Sequence, residues 1–190
     1  MKLFIVRICL VVSLLSCFSG VSVADTYQDA VKAFNSGDYD SAHRISVSLA
    51  EQGHVGSQYN LGAMYYNGQG VPQDFKLAIK WFTLAAEQGF AAAQNDLGFM
   101  YYNGQGVPQD FKVAIKWYTL AAEQGYVLAQ HSLGSMNLKG QGTPQDFKKY
   151  GTAIKWYTLA AEQGFFVAAW NLSNVQDEIR QAEPWHPTKN

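Results

Sequence analysis

Apolar and small residues recur along this chain at the spacing of amphipathic helices, and glycine-rich turns separate the helical stretches. Between residues 56 and 67 they stand at positions i, i+4, i+7 and i+8, which lie on one face of a helix. Between residues 73 and 88 they stand at i, i+3, i+4, i+7 and i+10, and Trp81 and Leu84 widen the stripe. We therefore predict two helices, 56–67 and 73–88, of which the second is the more deeply buried.

The segment between these stretches, Asn-Gly-Gln-Gly-Val-Pro at residues 67–72, has the composition of a turn. Glycine supplies positive φ and proline blocks continuation of a helix. Gly53 and Gly89 are expected to end helices as left-handed caps. Pro72 is expected to open the second helix, with Asp74 in its first turn. The Gly-x-Gly pattern is not a phosphate-binding loop, because it follows a helix and no Gly-Lys-Ser/Thr comes after it.

This helix pair is repeated along the chain with a period of 36 residues. Residues 50–85 and 86–121 share 27 of 36 residues, and a looser third copy, 122–160, is three residues longer. A period of this length is typical of solenoids, whose units bury their apolar faces by stacking on each other. We predict an all-α fold in which residues 25–182 form a single solenoid.

One glycine recurs inside the first helix of each copy, as Gly62, Gly98 and Gly134. Glycine within a helix costs about 1 kcal/mol relative to alanine. Its recurrence therefore predicts a close approach between helices, where a Cβ would clash. Other positions that stay fixed across the copies are predicted to be architectural. They are Leu61, Leu97 and Leu133; Ile79, Ile115 and Ile154; and Trp81, Trp117 and Trp156.

Segments at both ends, and one insertion, depart from the repeat. Residues 26–49 are predicted to be an N-terminal helix pair that caps the stack. Residues 161–182 are predicted to be a capping helix that starts like a first helix of the repeat and turns polar from Asn171 onward, followed by a tail at 183–190. In the third copy, three extra residues in the region Lys148–Thr152 would lengthen the loop or delay the helix until Thr152. Two interpretations of this insertion stay open, a tolerated loop and a binding feature.

The first 24 residues have the pattern of an export signal. Lys2 and Arg7 precede an apolar run at residues 8–18, and small residues follow up to Ala24. The apolar run is short for a membrane-spanning helix. We predict cleavage after Ala24 and a periplasmic or secreted protein. The alternative is a lipoprotein anchored in the bacterial envelope through Cys17.

Removal of the export signal changes the chemistry of the chain. Both cysteines, Cys9 and Cys17, lie within the signal, so a chain cut after Ala24 has no disulfide and no thiol chemistry. The remaining chain has 12 basic and 15 acidic residues. This mild acidity argues against a nucleic-acid partner, which requires clustered Lys and Arg.

The sequence words LG-x-MYYNGQGVPQDF-x-x-AIKW-x-x-x-AAEQG resemble the Sel-1-like repeat, a relative of the tetratricopeptide repeat. The resemblance implies antiparallel helix pairs in a right-handed superhelix, with first helices on the concave side. It also implies an adaptor that holds peptides or proteins, and exported bacterial relatives act in host interaction, envelope or signalling complexes. Cysteine-rich exported relatives have been linked to penicillin binding, but this chain lacks their cysteines.

The repeat also allows a comparison of copies, because positions that vary are candidates for recognition. The varying positions of the first helix share one face. Aromatic anchors with polar neighbours suit peptide recognition. The alternative is that these positions are solvated or pack between repeats. The predicted protein-binding residues are Tyr59, Tyr66, Asn95, Phe99, Tyr102, His131 and Trp170.

Catalytic and cofactor chemistry find little support in the sequence. None of the histidines, His43, His54, His131 and His186, has a partner at metal-ligand spacing. We predict a non-enzymatic monomer without cofactors or a membrane span, whose partner is a protein or peptide. The alternative function is an envelope protein that binds or acts on peptidoglycan or β-lactams. An inhibitor or immunity-like module is a third alternative.

Overall fold

The computed structural model describes residues 26–142 and 148–182, and these residues form helices joined by turns, with no strand among them. The chain divides into two compact units, Met1–Gln73 and Asp74–Asn190. The predicted export signal, the possible lipid anchor at Cys17 and the tail at 183–190 lie outside the described residues.

Three helices form the described part of the first unit. They are α1 (Tyr27–Asn35), α2 (Tyr39–Glu51) and α3 (Val55–Asn67). Each packs against the next along the chain. Thr26 caps α1, because its hydroxyl accepts from the Asp29 backbone while the Asp29 carboxylate accepts from the Thr26 backbone. The N-terminal helix pair and the helix predicted at 56–67 are therefore confirmed.

The described part of the second unit contains six helices, again packed consecutively. Short connections between consecutively packed helices make neighbours antiparallel. The pairs α4–α5, α5–α6, α6–α7, α7–α8 and α8–α9 are all in contact. The helices are α4 (Phe75–Glu87), α5 (Ala91–Asn103), α6 (Phe111–Glu123), α7 (Val127–Lys139), α8 (Lys148–Glu162) and α9 (Phe166–Ala182).

The start of α4 differs from the prediction that Pro72 opens the helix and Asp74 lies in its first turn. The helix begins at Phe75, and Asp74 precedes it as the N-cap residue. The Asp74 carboxylate accepts hydrogen bonds from the backbone N–H groups of Lys76 and Leu77, at 2.9 and 3.0 Å. A carboxylate placed before the helix satisfies donors that the first turn leaves unpaired, which explains why the helix starts later.

The glycine-rich turn after α5 shows why both of its glycines recur. Gly104 ends the helix with φ 70°, and Gly106 follows with φ 73°. A Cβ at Gly106 would lie 2.7 Å from the Cβ of Phe75 at the start of α4. The turn therefore packs directly on an earlier helix of the same unit, where no side chain fits. These contacts agree with the interpretation of this sequence as a structural turn.

The glycine within the first helix of a repeat lies directly against an aromatic ring of the next helix. A Cβ added to Gly98 on α5 would lie 2.8 Å from the Tyr118 ring on α6. The same addition at Gly134 on α7 would lie 2.6 Å from the Tyr157 ring on α8. The predicted close approach is confirmed at both positions, although the neighbour is a side-chain ring. Both tyrosines are almost fully buried.

The invariant tryptophans are half-buried, and Trp156 packs against the buried cluster of residues on α6 and α7. Trp117 is half-buried, and the Lys116 ammonium lies 6.0 Å from its ring centroid. The following residue, Tyr118, belongs to the buried core cluster of α6 and α7. The fully buried aromatic position is thus the one that varies between phenylalanine and tyrosine.

Glutamine side chains link successive repeats of the second unit. The buried Gln94 amide donates to the Ala86 carbonyl at 3.0 Å and accepts from the Gln124 amide at 2.7 Å. Gln130 repeats the arrangement, donating to the Ala122 carbonyl at 3.2 Å and accepting from Gln163 at 2.9 Å. Each link satisfies the hydrogen-bonding groups of a buried amide. An unsatisfied buried amide would reduce the stability of the fold by about 1–3 kcal/mol.

The sequence predicts that the insertion in the third copy lengthens the loop or delays the helix until Thr152, and the second of these alternatives is wrong. α8 begins at Lys148 and has 15 residues where α6 has 13. Tyr150 packs against the buried cluster around Tyr157, as Phe111 packs against the preceding cluster. Tyr150 thus provides the apolar contact at the start of the helix, and the extra residues of the described part extend the helix.

The outward face of α9 is polar only in its second half. Phe166 is 81% exposed and Trp170 is 60% exposed, and both precede the polar stretch that the sequence predicts from Asn171 onward. The position of Phe166 corresponds to Val127 on α7, which packs against the cluster formed by α8 and α9. No described helix follows α9, so nothing equivalent covers Phe166 within the described chain.

The glycine contacts predict the effect of adding one methyl group. Gly98→Ala should lower the free energy of unfolding, because overpacking costs about 1–3 kcal/mol and exceeds the propensity gain. Gly151→Ala on α8 is the matched control, since a Cβ there meets nothing within 4 Å and should stabilise by about 0.5–1 kcal/mol. Urea unfolding measures both. Equal stabilities of the two variants would contradict the contact with Tyr118.

Candidate functional site

The predicted binding residues are distributed over both units. In the first unit, Tyr59 and Tyr66 lie on α3 and are half-buried. The other five lie in the second unit, on three first helices of successive repeats. Asn95, Phe99 and Tyr102 are on α5, His131 is on α7 and Trp170 is on α9.

A cavity of about 180 Å³ in the second unit brings three of these residues together. Phe99, Tyr102 and His131 line it, as the shared helix face predicts. Four further lining residues were not in the predicted set. They are Tyr118, Ser132, Ser135 and Met136.

Local helix geometry positions the lining side chains. Phe99 and Tyr102 are three residues apart on α5, so they project from the same face. Ser132, Ser135 and Met136 are related in the same way on α7. Tyr118 reaches the cavity from α6, where its ring lies against Gly98. The same close contact that sets the helix spacing therefore places an aromatic ring in the cavity.

Hydroxyl groups at the cavity are held by hydrogen bonds. The Ser132 hydroxyl donates to the Leu128 carbonyl at 2.8 Å and is also bonded to the Tyr118 side chain. The hydroxyls of Ser135 and Tyr157 lie 3.0 Å apart. Burial raises the pKa of Tyr118, and the bond with Ser132 opposes this rise only in part. The phenol of Tyr118 is therefore uncharged at neutral pH.

His131 forms one side of the cavity and joins α7 to α9. The Asn171 amide nitrogen lies 3.0 Å from His131 Nε2, and the Phe165 ring centroid lies 5.3 Å from the imidazole. An amide nitrogen only donates, so Nε2 accepts and the ring proton lies on Nδ1. Burial lowers the pKa of His131, and the charge of Lys139 lowers it further. The imidazole is therefore neutral at neutral pH.

Tyr102 lines the cavity and contacts the glycine-rich turn that follows α7. Its hydroxyl donates to Gln141 Oε1 at 3.2 Å, and its ring centroid lies 5.4 Å from that of Phe111. Phe99 is 44% exposed at the cavity rim. A large exposed ring beside a partly enclosed cavity is a surface that a partner can bury.

Two predicted residues of the second unit lie outside the cavity lining. Asn95 is 8% exposed, and its amide donates to the Asp96 carboxylate at 3.1 Å. Trp170 is exposed on α9, directly before Asn171, the residue that contacts His131. Asn95 therefore holds a neighbouring charge, whereas Trp170 offers apolar surface.

The chemistry of the cavity suits an uncharged ring. None of the seven described lining residues is Asp, Glu, Lys or Arg, and burial of an unpaired charge against them would be costly. An apolar cavity of about 150 Å³ is large enough to accept benzene. Within residues 26–142 and 148–182, no three His, Cys, Asp or Glu side chains are grouped so as to hold a metal ion. No helix in that part of the chain is long and apolar enough to cross a bilayer.

Helix pairs of equivalent sequence, joined by equivalent turns, define this chain as an all-helical repeat solenoid. The chain belongs to the Sel1 repeat family, whose model matches residues 55–90, 91–126 and 127–165. Proteins built from this repeat are related to tetratricopeptide-repeat proteins. They generally mediate protein–protein interactions as non-catalytic scaffolds.

Two solved structures support the same family. A Sel1 repeat protein from Oxalobacter formigenes is 32% identical with a TM-score of 0.72, covering 77% of this chain and 59% of its own. The c5321 protein, a protective antigen present in uropathogenic Escherichia coli strains, displays an SLR fold. It is 36% identical with a TM-score of 0.70, covering 76% of this chain and 32% of its own. This chain thus spans less than two thirds of either relative. The comparison with curated protein sequences finds no match.

Burial of His131 predicts a pH-dependent stability. Its folded-state pKa lies below the ordinary value of 6.5, so the unfolded chain binds more protons below that pH. Stability should therefore fall as the pH drops through the unfolded-state pKa of about 6.5 towards the lower folded-state pKa. His131→Gln keeps an acceptor for Asn171 and should reduce this pH dependence. Thermal unfolding across the range measures it, and an unchanged pH slope would contradict a buried neutral His131.

Proposed function

We propose that this chain is an exported, non-catalytic adaptor that binds a peptide segment of a protein partner on the first-helix side of its second unit. The observation that carries the proposal is the cavity between α5, α6 and α7, with the exposed Phe99 ring at its rim. The family supports a protein partner in general terms. The proposal adds the place of contact and the kind of side chain that enters.

Aromatic residues are the strongest support for this surface. Interface hot spots are enriched in Trp, Tyr and Arg that fill well-packed pockets, and Phe99, Tyr102 and Trp170 provide aromatic surface here. Rings lose little conformational entropy on binding because they have few rotatable bonds. Tyr59 and Tyr66 are proposed as further contacts on the first unit. Asn95 is left out because it is buried.

The location proposed for the adaptor is the periplasm or the exterior of a bacterial cell. Support comes from the basic, apolar and small-residue pattern of residues 1–24. Similarity to c5321, described as a protective antigen, supports a role in contact with a host. A lipid anchor at Cys17 is the alternative form of the same proposal.

Truncation of the rim aromatic should weaken partner capture. The chain from Asp25 onward serves as bait for cross-linked capture from the native envelope. The Phe99→Ala variant should recover about 30-fold less of the partner, which is the effect expected of a hot-spot residue. Leu120→Ala on α6 is the matched control, since Leu120 is similarly exposed at 38% but does not line the cavity. Thermal unfolding confirms that both variants fold.

Quantitative mass spectrometry of the captured proteins decides the result. A partner retained by Leu120→Ala and lost by Phe99→Ala supports the proposal. A partner captured equally by both variants would place the binding surface elsewhere on the chain.

A further inference from the structure

Two of the helices that line the cavity carry opposite charges near their lining residues. Asp96 lies one turn before Phe99 on α5, and Lys139 lies one turn after Ser135 on α7. Residues three or four apart lie on the same helix face, so each charge shares a face with a lining residue. The charged groups are therefore neighbours of the cavity, although neither is among its lining residues.

The repeat defines how far apart these charges lie. Phe99 and Ser135 occupy equivalent positions of successive copies, and α5 and α7 run in the same direction because each is antiparallel to α6. Asp96 is three residues before that shared level, and Lys139 is four residues after it. With a rise of 1.5 Å per residue, the two Cα positions are separated by about 10 Å along the helix direction.

Both charges act on groups that line the cavity. Burial is the main cause of the raised pKa of Tyr118. The Tyr102 hydroxyl and then the Asp96 carboxylate raise this pKa further. Burial is the main cause of the lowered pKa of His131, and the Lys139 ammonium lowers this pKa further. The hydrogen bond from the Asn95 amide fixes the position of the Asp96 carboxylate. The cavity lining is thus influenced by a negative charge from α5 and a positive charge from α7.

We infer that the cavity binds an extended peptide whose uncharged aromatic side chain is flanked by a basic residue towards Asp96 and an acidic residue towards Lys139. This inference rests on the proposed function and specifies the chemistry of its partner. In an extended peptide, side chains at −2, 0 and +2 share one face and span about 13 Å. Two long flanking side chains can therefore meet charges about 10 Å apart while the ring occupies the cavity.

The experiment uses synthetic peptides of one neutral extended sequence with a central tyrosine. The charged peptides carry lysine and glutamate at positions −2 and +2 in either order, two lysines, or two glutamates. The peptide with two serines at these positions is the uncharged reference, and one further peptide has alanine in place of the central tyrosine. Fluorescence anisotropy against the chain from Asp25 onward gives each Kd at low and at high salt. One mixed-charge order should bind about two- to five-fold tighter per charge than the serine peptide, with the difference reduced at high salt.

Neutralising variants assign each preference to one residue. Asp96→Asn and Lys139→Asn both introduce asparagine, which other copies of the repeat carry at these positions as Asn60 and Asn103. Asp96→Asn should remove only the gain from the basic flank, and Lys139→Asn only the gain from the acidic flank. Phe99→Ala should weaken every tyrosine-centred peptide.

Each outcome separates this inference from the proposed function. Charge preferences that survive both asparagine variants, or the absence of any preference, overturn the inference while the loss in Phe99→Ala still supports the proposed function. Failure of every tyrosine-centred peptide to bind, with partner capture intact, also overturns the inference. If Phe99→Ala changes neither the peptide Kd nor the amount of captured partner, the proposed function is overturned.

Discussion

The close contact between a helix glycine and the tyrosine ring of the next helix is the constraint on which the second unit depends. At Gly98 and Gly134 the missing side chain allows the rings of Tyr118 and Tyr157 to lie against the helix backbone. Burial of such a ring contributes about 1.5–3 kcal/mol and more than offsets the helix propensity lost by glycine. The same contact directs the Tyr118 ring towards the cavity, so helix packing and the candidate binding site share one cause.

Polar links extend this packing from one repeat to the next. The buried Gln94 and Gln130 amides each donate to an alanine carbonyl near the end of the preceding repeat, Ala86 and Ala122, and accept from a glutamine that follows the next helix, Gln124 and Gln163. Ala169 occupies the equivalent position on α9 and offers no such amide. The series of glutamine links therefore ends at the helix whose outer face carries the exposed Phe166 and Trp170.

The repeat made most of the fold predictable, because each helix, turn and internal glycine appears several times in the sequence. The helix spacing led to Phe99, Tyr102 and His131, which share the cavity. Tyr118 is not among the predicted residues because invariance across copies does not mark burial in this chain: the half-buried tryptophans are invariant, whereas the buried ring varies. The change from Phe82 to Tyr118 was the available signal, since a hydroxyl added to a buried ring requires a partner, here Ser132. The start of α8 and the apolar face of α9 depend on tertiary contacts that a periodic pattern does not encode.

Site-specific photo-cross-linking tests the central claim, that the packing of α5, α6 and α7 creates the surface that a partner occupies. A benzophenone-bearing phenylalanine analogue would replace Phe99 in one variant and Leu120 in another, two exposed apolar positions on different helices. The account predicts that the analogue at position 99 forms a cross-link to one partner peptide containing an aromatic residue, identified by mass spectrometry, and that the analogue at position 120 does not. Cross-links to the same partner peptide from position 120, with none from position 99, would contradict it.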